Sequence, residues 1–489
     1  MSRDRYGLLI LLTTSLLLSI FYIPYYNPLH GDKEVYRYVG QLMLRGGVPY
    51  RDVFDHKPPL IFVLYRASLL LGNWGLWLID TGLALLATTL FFRSAAKYRL
   101  PFPWLLPLLF NLMLRDHLVC SGMGMTREYT AMLMLLFFCA LMGTRRYKYF
   151  WLGFLGGLTF FMQQDQVLPL LPFIFYAFWQ RDKRPFIRRT LMMASGSCAV
   201  TLPLLIYFGV HHALGLFWRD TFAFNVGWYA TAIKTSFGDH LRHIKFALDS
   251  VNYETVSLVS MTLGICALYF RSKNKTLTLA ALIAVCLSVS PEFMGGRAPN
   301  SIFIHYYLPL AASLPILLFC VFAFTEAPFL QARSAMGVYG ALVCISLAYT
   351  ALQHGTHLVP ADEDIAVTTR PMQYLRQHRP GDYQFYNFGN VVFDHAYNEF
   401  GILAPSPWVY QQFWKLFPHW DADHAMLHSI GQDLLRHRTT YIMDNSDQEP
   451  AFLDTAAASW WHAFLRENYQ PVIVCDSNRV TLWKFKGAP

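Results

Sequence analysis

Long apolar runs alternate with short charged stretches over about the first 350 residues of the chain. A helix needs about 20 mostly apolar residues to cross about 30 Å of hydrocarbon. The first run ends in Tyr25–Pro28 without a small-residue cleavage site, so we interpret it as a span and not as a signal peptide. The pattern predicts about 11 transmembrane helices, at 7–25, 76–93, 102–115, 129–143, 150–163, 166–180, 190–212, 255–270, 276–291, 304–324 and 335–352.

The basic residues concentrate on one side of these predicted spans. With the N-terminus inside, the inner segments hold 17 basic and three acidic residues, a net charge of +14. Because the whole chain has a net charge of +9, the remaining residues together carry −5. Lys and Arg accumulate in cytoplasmic loops of membrane proteins. The surplus therefore predicts a cytoplasmic N-terminus and an outer C-terminal domain, and it does not indicate nucleic-acid binding. The inner segments are 1–6, 93–100, 144–149, 181–189, 271–275 and 325–333.

The composition agrees with a membrane protein. The chain of 489 residues is 54% hydrophobic and only 15% charged, whereas soluble domains carry about 25% charged residues. Eight scattered cysteines do not form the pattern of a disulfide scaffold or a zinc site. Cys120 and Cys475 are the two predicted to lie outside, and the sequence leaves open whether they pair.

Three predicted outer segments are longer than turns. The first loop, residues 26–75, is rich in charge, and residues 213–254 mix charged with aromatic residues in the pattern of helices at a membrane interface. Residues 353–489 are polar and predict a small α/β domain that caps the protein or docks an acceptor. Its predicted elements are a helix opening at Pro371, strands at Tyr383–Phe388, Thr439–Met443, Val472–Cys475 and Val480–Phe485, and helices near 422–437 and 450–467. We therefore expect a mostly α fold with a transmembrane domain at 1–352 and a soluble domain at 353–489.

The first loop contains two candidate functional residues. An apolar face predicts a short helix over 34–45, and Asp32 directly precedes it, where the helix dipole favours a carboxylate. Asp32 is either an N-cap or a functional acid. Lys57 precedes Pro58–Pro59, which predict the start of an interfacial helix over 60–72. Lys57 is either a ligand for a lipid phosphate or a lysine that reaches the membrane interface from a helix end.

Further candidates stand at the outer ends of later spans. Glu128 opens one span, where a carboxylate needs a partner or a function. The structural alternatives are a pairing of Arg127 with Glu128 or with Asp116. Arg297 follows Gly295–Gly296 and is a candidate phosphate ligand. His305 and Tyr306 either face the same outer cavity or belong to an interfacial aromatic belt. Gln163–Gln166 is either a polar turn, which we favour, or a row of side chains that contacts sugar hydroxyls.

In order and placement these motifs resemble the GT-C superfamily of glycosyltransferases that use polyprenyl-phosphate-linked sugars. The resemblance is greatest to the branch related to protein O-mannosyltransferases and the lipid A aminoarabinose transferase. It covers residues 1–352, and the tail matches in position only. The matching positions are Asp32, Tyr36, Lys57-Pro58-Pro59-Leu60, Glu128, Arg297 and His305–Pro309. The chain departs from the family pattern at Lys33, where an acidic residue often stands, and at His56, where some relatives have a carboxylate.

The resemblance implies a function on the periplasmic face of a bacterial inner membrane. A monomer would transfer one sugar from a polyprenyl-phosphate donor to a glycan, lipid or protein acceptor, with inversion at the sugar. Asp32 and Glu128 would be catalytic, and Lys57 and Arg297 would bind the donor phosphate. Tyr36, Asp55, His56, His305 and Tyr306 would contact substrates, and Asp55 and His56 are also the candidate ligands if a divalent cation is used.

Two other functions share the predicted topology. A transporter or flippase for a lipid-linked glycan has similar spans, but transporters place ionisable residues within spans and contain internal repeats. Asp80 is the clear carboxylate near a span interior here, with Arg66 as its candidate partner, and no repeat is evident. An oligosaccharide ligase or polymerase is the third interpretation, although such proteins usually lack the Asp and Lys-Pro-Pro order.

Overall fold

The structure is a computed structural model of the chain. It describes residues 2–20, 22–24, 29, 31–115, 123–143, 146–180, 184–229, 236–250, 253–269, 272–289, 304–325, 370–389, 394–409, 411, 421, 423–446, 453–475 and 480–487. The predicted span 335–352, the boundary between 352 and 353, Arg297 and Cys120 lie outside the described residues.

Most of the described residues between 2 and 325 are helical. Two of them, α2 and α3, form the first loop, as the sequence predicts. The helices are α1 Ser2–Ile20, α2 Asp32–Leu44, α3 Leu60–Leu70, α4 Gly75–Lys97, α5 Leu105–Leu114, α6 Thr126–Met142, α7 Lys148–Met162, α8 Leu171–Trp179, α9 Phe186–Val210, α10 Leu214–Trp218, α11 Phe237–Ser250, α12 Tyr253–Tyr269, α13 Lys275–Ser288 and α14 Leu310–Phe324.

Short non-α turns interrupt this series. A 3₁₀ helix at Gln164–Leu170 precedes α8, so the predicted span 166–180 is not one continuous α-helix. Pro169 and Pro172 explain the break, because proline cannot donate a helical hydrogen bond. Two π-helical turns, Arg219–Ala223 and Asn225–Tyr229, follow α10 within the predicted interfacial segment.

Three helical segments within the described residues are long and apolar enough to cross a membrane. They are Gly75–Lys97, Phe186–Val210 and His305–Phe324, and five more apolar helices are shorter, at 10–17 residues. The predicted number of 11 transmembrane helices is therefore not confirmed.

Two glycines bring α7 and α9 into backbone contact. A Cβ atom on Gly153 would lie 1.8 Å from the carbonyl oxygen of Met193, and one on Gly196 would lie 2.0 Å from that of Phe150. The Ser197 hydroxyl also donates to the Gly153 carbonyl at 3.0 Å. Small residues allow this close approach between apolar helices, where dispersion and hydrogen bonds hold the pair.

Helix α2 approaches α3 in the same way. A Cβ atom on Gly40 would lie 2.8 Å from the backbone nitrogen of Arg66. The rings of Tyr36 and Tyr65 meet edge to face across the two helices, with centroids 5.8 Å apart. The two helices of the first loop are thus one packed unit.

The C-terminal domain, residues 370–487, is the predicted α/β unit. Four strands form a sheet in the order β1-β2-β4-β3, in which β1 and β2 are parallel and the other pairs are antiparallel. The predicted strands and helices of the tail are confirmed, with ends shifted by a few residues. The elements are α15 Arg370–His378, β1 Phe385–Phe388, α16 His395–Phe400, α17 Ala425–Arg436, β2 Tyr441–Asp444, α18 Thr455–Asn468, β3 Tyr469–Cys475 and β4 Val480–Phe485.

This domain packs directly on α2. Arg45, which follows α2, donates to both carboxylate oxygens of Asp382, at 2.7 and 3.0 Å. The Tyr38 hydroxyl accepts a hydrogen bond from the backbone nitrogen of Ala404 at 3.1 Å. Asn398 donates to the carboxylate of Glu34. Contacts at both ends and in the middle of α2 therefore fix it against the C-terminal domain.

The helix contact at Gly153 generates a stability prediction. We expect Gly153→Ala to destabilise the purified protein by about 1–3 kcal/mol, because an added methyl group must push two backbones apart. The thermal unfolding midpoint in detergent measures the loss. Gly156→Ala is the matched control on the same helix, since a Cβ atom there meets nothing within 4 Å. Equal midpoints for the two variants would contradict the observed packing.

Candidate functional site

The candidate site forms where α2 begins. Asp32 is the first residue of α2, and Gly31, with φ of 57°, takes the cap position without a side-chain cap. The N-cap interpretation of Asp32 is therefore wrong. The Lys57 ammonium lies 3.8 Å from Asp32 Oδ2, and the Tyr36 hydroxyl, one turn along α2, donates to the same oxygen at 3.3 Å. The structure thus brings together three residues that the sequence predicted separately.

The loop between α2 and α3 holds Lys57 in place. The Tyr50 hydroxyl donates to the carbonyl oxygen of Lys57 at 2.7 Å, and the backbone nitrogen of Lys57 donates to Asp55 Oδ1 at 2.9 Å. The Lys57 side chain is 13% exposed and that of Asp32 is 24% exposed. Both charged groups therefore remain accessible to a ligand while the backbone beneath them is fixed.

Asp55 and His56 lie beneath the surface of the site. Burial raises the pKa of the Asp55 carboxyl to about 7 and lowers the pKa of His56 well below its ordinary value. The Asp55 carboxyl lies 3.6 Å from the His56 ring nitrogen Nδ1. No three His, Cys, Asp or Glu side chains within the described ranges form a group that fits a metal ion, so we derive no step through a metal.

Glu128 belongs to a different, fully buried cluster. Arg115 Nη1 lies 2.6 Å from Glu128 Oε1, and Arg115 also pairs with Asp80. The second oxygen of Glu128 accepts a hydrogen bond from the backbone nitrogen of Gly124 at 2.9 Å. Asp80 thus pairs with Arg115 and not with the predicted partner Arg66.

This buried triad, Asp80, Arg115 and Glu128, connects three helix ends. The three side chains are at most 1% exposed. One guanidinium between two carboxylates satisfies charges that would be very costly in an apolar interior if left unpaired. The structure places Glu128 in the triad and shows no contact of its carboxylate with Asp32 or Lys57 among the described contacts.

Arg127, which the sequence offered as a partner of Glu128, instead contacts Tyr306 and Asp165. Its guanidinium lies 3.8 Å from the centroid of the Tyr306 ring and donates to the Tyr306 carbonyl at 3.3 Å. It also lies 3.1 Å from Asp165 Oδ2. The His305 ring packs edge to face on Tyr306, at 4.9 Å between centroids. The predicted pairing of Arg127 with Glu128 is therefore wrong.

The polar segment Gln163–Gln166 supports the contact between Arg127 and Asp165. The side-chain amides of Gln163 and Gln166 donate to the two oxygens of Asp165, at 2.7 and 2.8 Å. Gln164 and Asn225 form a hydrogen bond at 3.3 Å. The segment thereby orients Asp165, the acidic partner of Arg127.

Asn225 links this segment to the first loop. Its side-chain amide donates to the carbonyl oxygen of His56 at 2.9 Å and to that of Thr221 at 2.7 Å. The segment after α10 is thereby tied to the residue next to Lys57. Sequence reasoning missed Asn225 and the role of Asp165, because neither residue stands in a recognisable motif.

Comparisons with known proteins identify the fold. No family model and no curated protein matches the chain. The crystal structure of ArnT from Cupriavidus metallidurans bound to undecaprenyl phosphate matches with a TM-score of 0.62 and 12% sequence identity, over 97% of each chain. The apo structure of the same ArnT matches with a TM-score of 0.61 and 12% identity, over 98% of each chain. The predicted GT-C resemblance is therefore confirmed at the level of the fold.

The buried Asp55 carboxyl generates a pH prediction. The pKa of Asp55 is near 4 in the unfolded chain and about 7 in the folded protein. At a pH between these two values, the folded protein keeps a proton on Asp55 that the unfolded chain releases. Stability should therefore fall as pH rises through this window, by at most about 1.4 kcal/mol per pH unit from this group. Asp55→Asn, which retains the acceptor oxygen for Lys57, should remove that part of the slope in unfolding midpoints measured from pH 5 to 8.

The exposed Asp423 provides the control for this experiment. Asp423→Asn should leave the pH slope of the parent protein unchanged. An Asp55→Asn slope equal to that of the parent would contradict the assignment of the proton to Asp55.

The buried triad generates a second stability prediction. Arg115→Met should destabilise the protein by about 3–5 kcal/mol, because it leaves two buried carboxylates without their cation. Arg51→Met is the comparison. Arg51 pairs with Asp52 at the surface, where the two side chains are 40% and 32% exposed, and such a pair contributes at most about 1 kcal/mol. Combining Arg115→Met with Asp80→Asn and Glu128→Gln should recover part of the lost stability, because the carboxylates are then neutral. If the unfolding midpoint of the triple variant is no higher than that of Arg115→Met, the explanation is contradicted.

Proposed function

We propose that the protein is an integral-membrane glycosyltransferase that moves a single sugar from a polyprenyl-phosphate-linked donor to an acceptor. The observation that carries this proposal is the pairing of Asp32 with Lys57 at the start of α2, 3.8 Å apart and partly accessible. A carboxylate beside an ammonium supplies a base next to a phosphate ligand. The shared fold with ArnT, one structure of which contains undecaprenyl phosphate, supports the choice of donor class.

Lys57 is the proposed donor-phosphate ligand among the described residues. A phosphate that enters the site competes with Asp32 for the Lys57 ammonium, and this exchange leaves the carboxylate available to accept a proton. Lys57 then stabilises the charge that grows on the leaving phosphate, an electrostatic contribution from a preorganised site. Arg297 keeps its proposed role as a second phosphate ligand, although it lies outside the described residues.

The proposed reaction is a single displacement with inversion. The acceptor hydroxyl oxygen forms a bond to the anomeric carbon, and the bond from that carbon to the phosphate oxygen breaks with its electron pair on the phosphate. The acceptor proton passes to the Asp32 carboxylate. The Tyr36 hydroxyl, which donates to Asp32 at 3.3 Å, orients that carboxylate.

The other predicted site residues take positioning or binding roles in this proposal. Glu128 acts indirectly, because its two oxygens are used by Arg115 and by the Gly124 backbone. Asn225 holds the backbone carbonyl of His56, and Tyr306 stacks on Arg127; both residues keep their proposed roles in substrate binding. Asp55 fixes the backbone of Lys57.

The proposed setting is a bacterial inner membrane. Residues 1–352 form the transmembrane domain with a cytoplasmic N-terminus, and residues 353–489 form a periplasmic domain on a monomeric protein. A glycan, a lipid or a protein is the acceptor. None of the contacts in the described part of the chain favours the transporter alternative: Asp80 is paired with Arg115 and does not stand free in a path for ions.

Substitution of the two central residues tests the function. Asp32→Asn and Lys57→Ala should each lower transfer from a polyprenyl-phosphate-linked sugar by about 10²–10³-fold, because one removes the base and the other the phosphate ligand. The measurement is radiolabelled product from purified protein in detergent, with the unfolding midpoint recorded for each variant. Asp423→Asn, on the exposed surface of the C-terminal domain, is the control.

Each result has a defined meaning. Full transfer by Asp32→Asn or by Lys57→Ala, at a normal unfolding midpoint, would contradict the proposed site. Movement of a labelled lipid-linked glycan across vesicle membranes without sugar transfer would instead identify a flippase. Transfer of many linked sugars in one product would identify a ligase or polymerase.

A further inference from the structure

A cavity lies beside α2, and its lining includes neither Asp32 nor Lys57. It has a volume of about 200 Å³, and its walls come from α2, α3, the start of α4 and the segments that follow α1 and precede α6. Leu69, Leu76 and Trp77 form much of its apolar wall, and Glu34 and Arg37 supply its charged groups. This volume is below that of a site for a whole drug-sized ligand and suits a headgroup.

Arg37 is the charged group available to a ligand in this cavity. Within the described part of the chain, its guanidinium forms no hydrogen bond or ion pair, whereas Glu34 is held by Asn398 of the C-terminal domain. Guanidinium groups that line cavities pair well with carboxylates and phosphates, because their donors match two oxygens at once. The cavity therefore favours an anion at Arg37.

Several other polar wall groups already have partners, whereas the exposed side chain of Asn73 has none among the described contacts. The Tyr65 hydroxyl donates to the Gly124 carbonyl at 3.2 Å, and the Trp77 ring nitrogen donates to the Ser19 carbonyl at 2.8 Å. Both residues line the cavity, and their polar atoms are already used in these bonds. A ligand there meets one strong donor group and mostly apolar surface, as an amphiphile would.

Several residues next to the cavity-lining residues in the sequence have exposed apolar side chains. Leu70 is 71% exposed and Leu71 is 56% exposed, next to the lining residue Leu69. Trp74 and Leu78 flank Leu76 and Trp77 and are 50% and 49% exposed. Exposed apolar side chains grouped in this way mark a lipid or partner contact. An acyl chain can cover it while the headgroup occupies the cavity.

This cavity is separate from the proposed catalytic site. Its described lining includes neither Asp32, Tyr36 nor Lys57. The Tyr36 ring packs against Tyr65, and Tyr65 in turn lines the cavity. The Tyr36 ring, whose hydroxyl donates to Asp32, thus contacts a ring of the cavity wall.

We propose that this cavity binds the phosphate headgroup of an anionic membrane phospholipid through Arg37, as a lipid site independent of Lys57. The proposal does not rest on glycosyl transfer. It requires a phosphate and an attached apolar chain together, since the guanidinium recognises the first and the exposed leucines cover the second.

Native mass spectrometry of the full-length protein tests lipid binding. The probes are dioleoyl phosphatidic acid, dioleoylglycerol, which has the same chains without the phosphate, and inorganic phosphate. We expect Arg37→Gln to weaken phosphatidic acid binding by about tenfold or more, the effect of losing a charge-assisted hydrogen bond. Arg66→Gln is the matched control, because Arg66 is an exposed arginine on α3 that does not line the cavity.

A second pair of variants tests the location. Leu76→Trp should fill the cavity and weaken binding although Arg37 is intact, whereas Leu78→Trp, outside the lining, should not. Lys57→Ala should retain phosphatidic acid binding, and this separates failure here from failure of the proposed transfer site.

Several results would overturn the proposal. These are equal binding by Arg37→Gln and Arg66→Gln, equal binding of dioleoylglycerol and phosphatidic acid, or loss of binding in Lys57→Ala. Arg37-dependent binding of inorganic phosphate as tight as that of phosphatidic acid would overturn the lipid part, because the apolar surface would then contribute nothing.

Discussion

The packing of α2 between α3 and the C-terminal domain is the constraint on which the sites depend. A helix of 13 residues is marginal in water by itself, so α2 owes its stability to its neighbours. Gly40 allows the backbone of α3 to approach, and Arg45 and Tyr38 bind the C-terminal domain. Because both faces of the helix that carries Asp32 are fixed, the spacing between Asp32 and Lys57 is fixed as well.

Charged side chains at the ends of apolar helices are used here mainly to join elements. Arg115 joins Asp80 to Glu128, and Arg127 joins Asp165 to Tyr306. Each guanidinium is shielded from water and satisfies more than one acceptor, so these contacts are specific as well as strong. Asp32 and Lys57 form a pair of another kind, because both side chains remain partly accessible, and chemistry is proposed for them.

Sequence predicted the elements of this fold better than the contacts between them. The strands and helices of the tail follow from alternation and turn residues, which are local signals, and Asp32 and Lys57 were recognisable from their order in the first loop. The partner of Asp80 was not predictable, because Arg115 is a distant residue on another helix and Arg66 was nearer in the chain. Likewise, nothing local to Asn398 or Asn225 indicates that each holds a residue of the first loop.

The direct attachment of the C-terminal domain to α2 has a thermodynamic consequence. A ligand that changes how this domain packs on Arg45 and Tyr38 also changes the energy of the helix that bears Asp32. Linkage requires the effect to be reciprocal: whatever factor binding at the C-terminal domain imposes on binding beside Lys57, binding beside Lys57 imposes on the C-terminal domain. Order of addition is then immaterial at equilibrium, and either ligand prepares the protein for the other to the same degree.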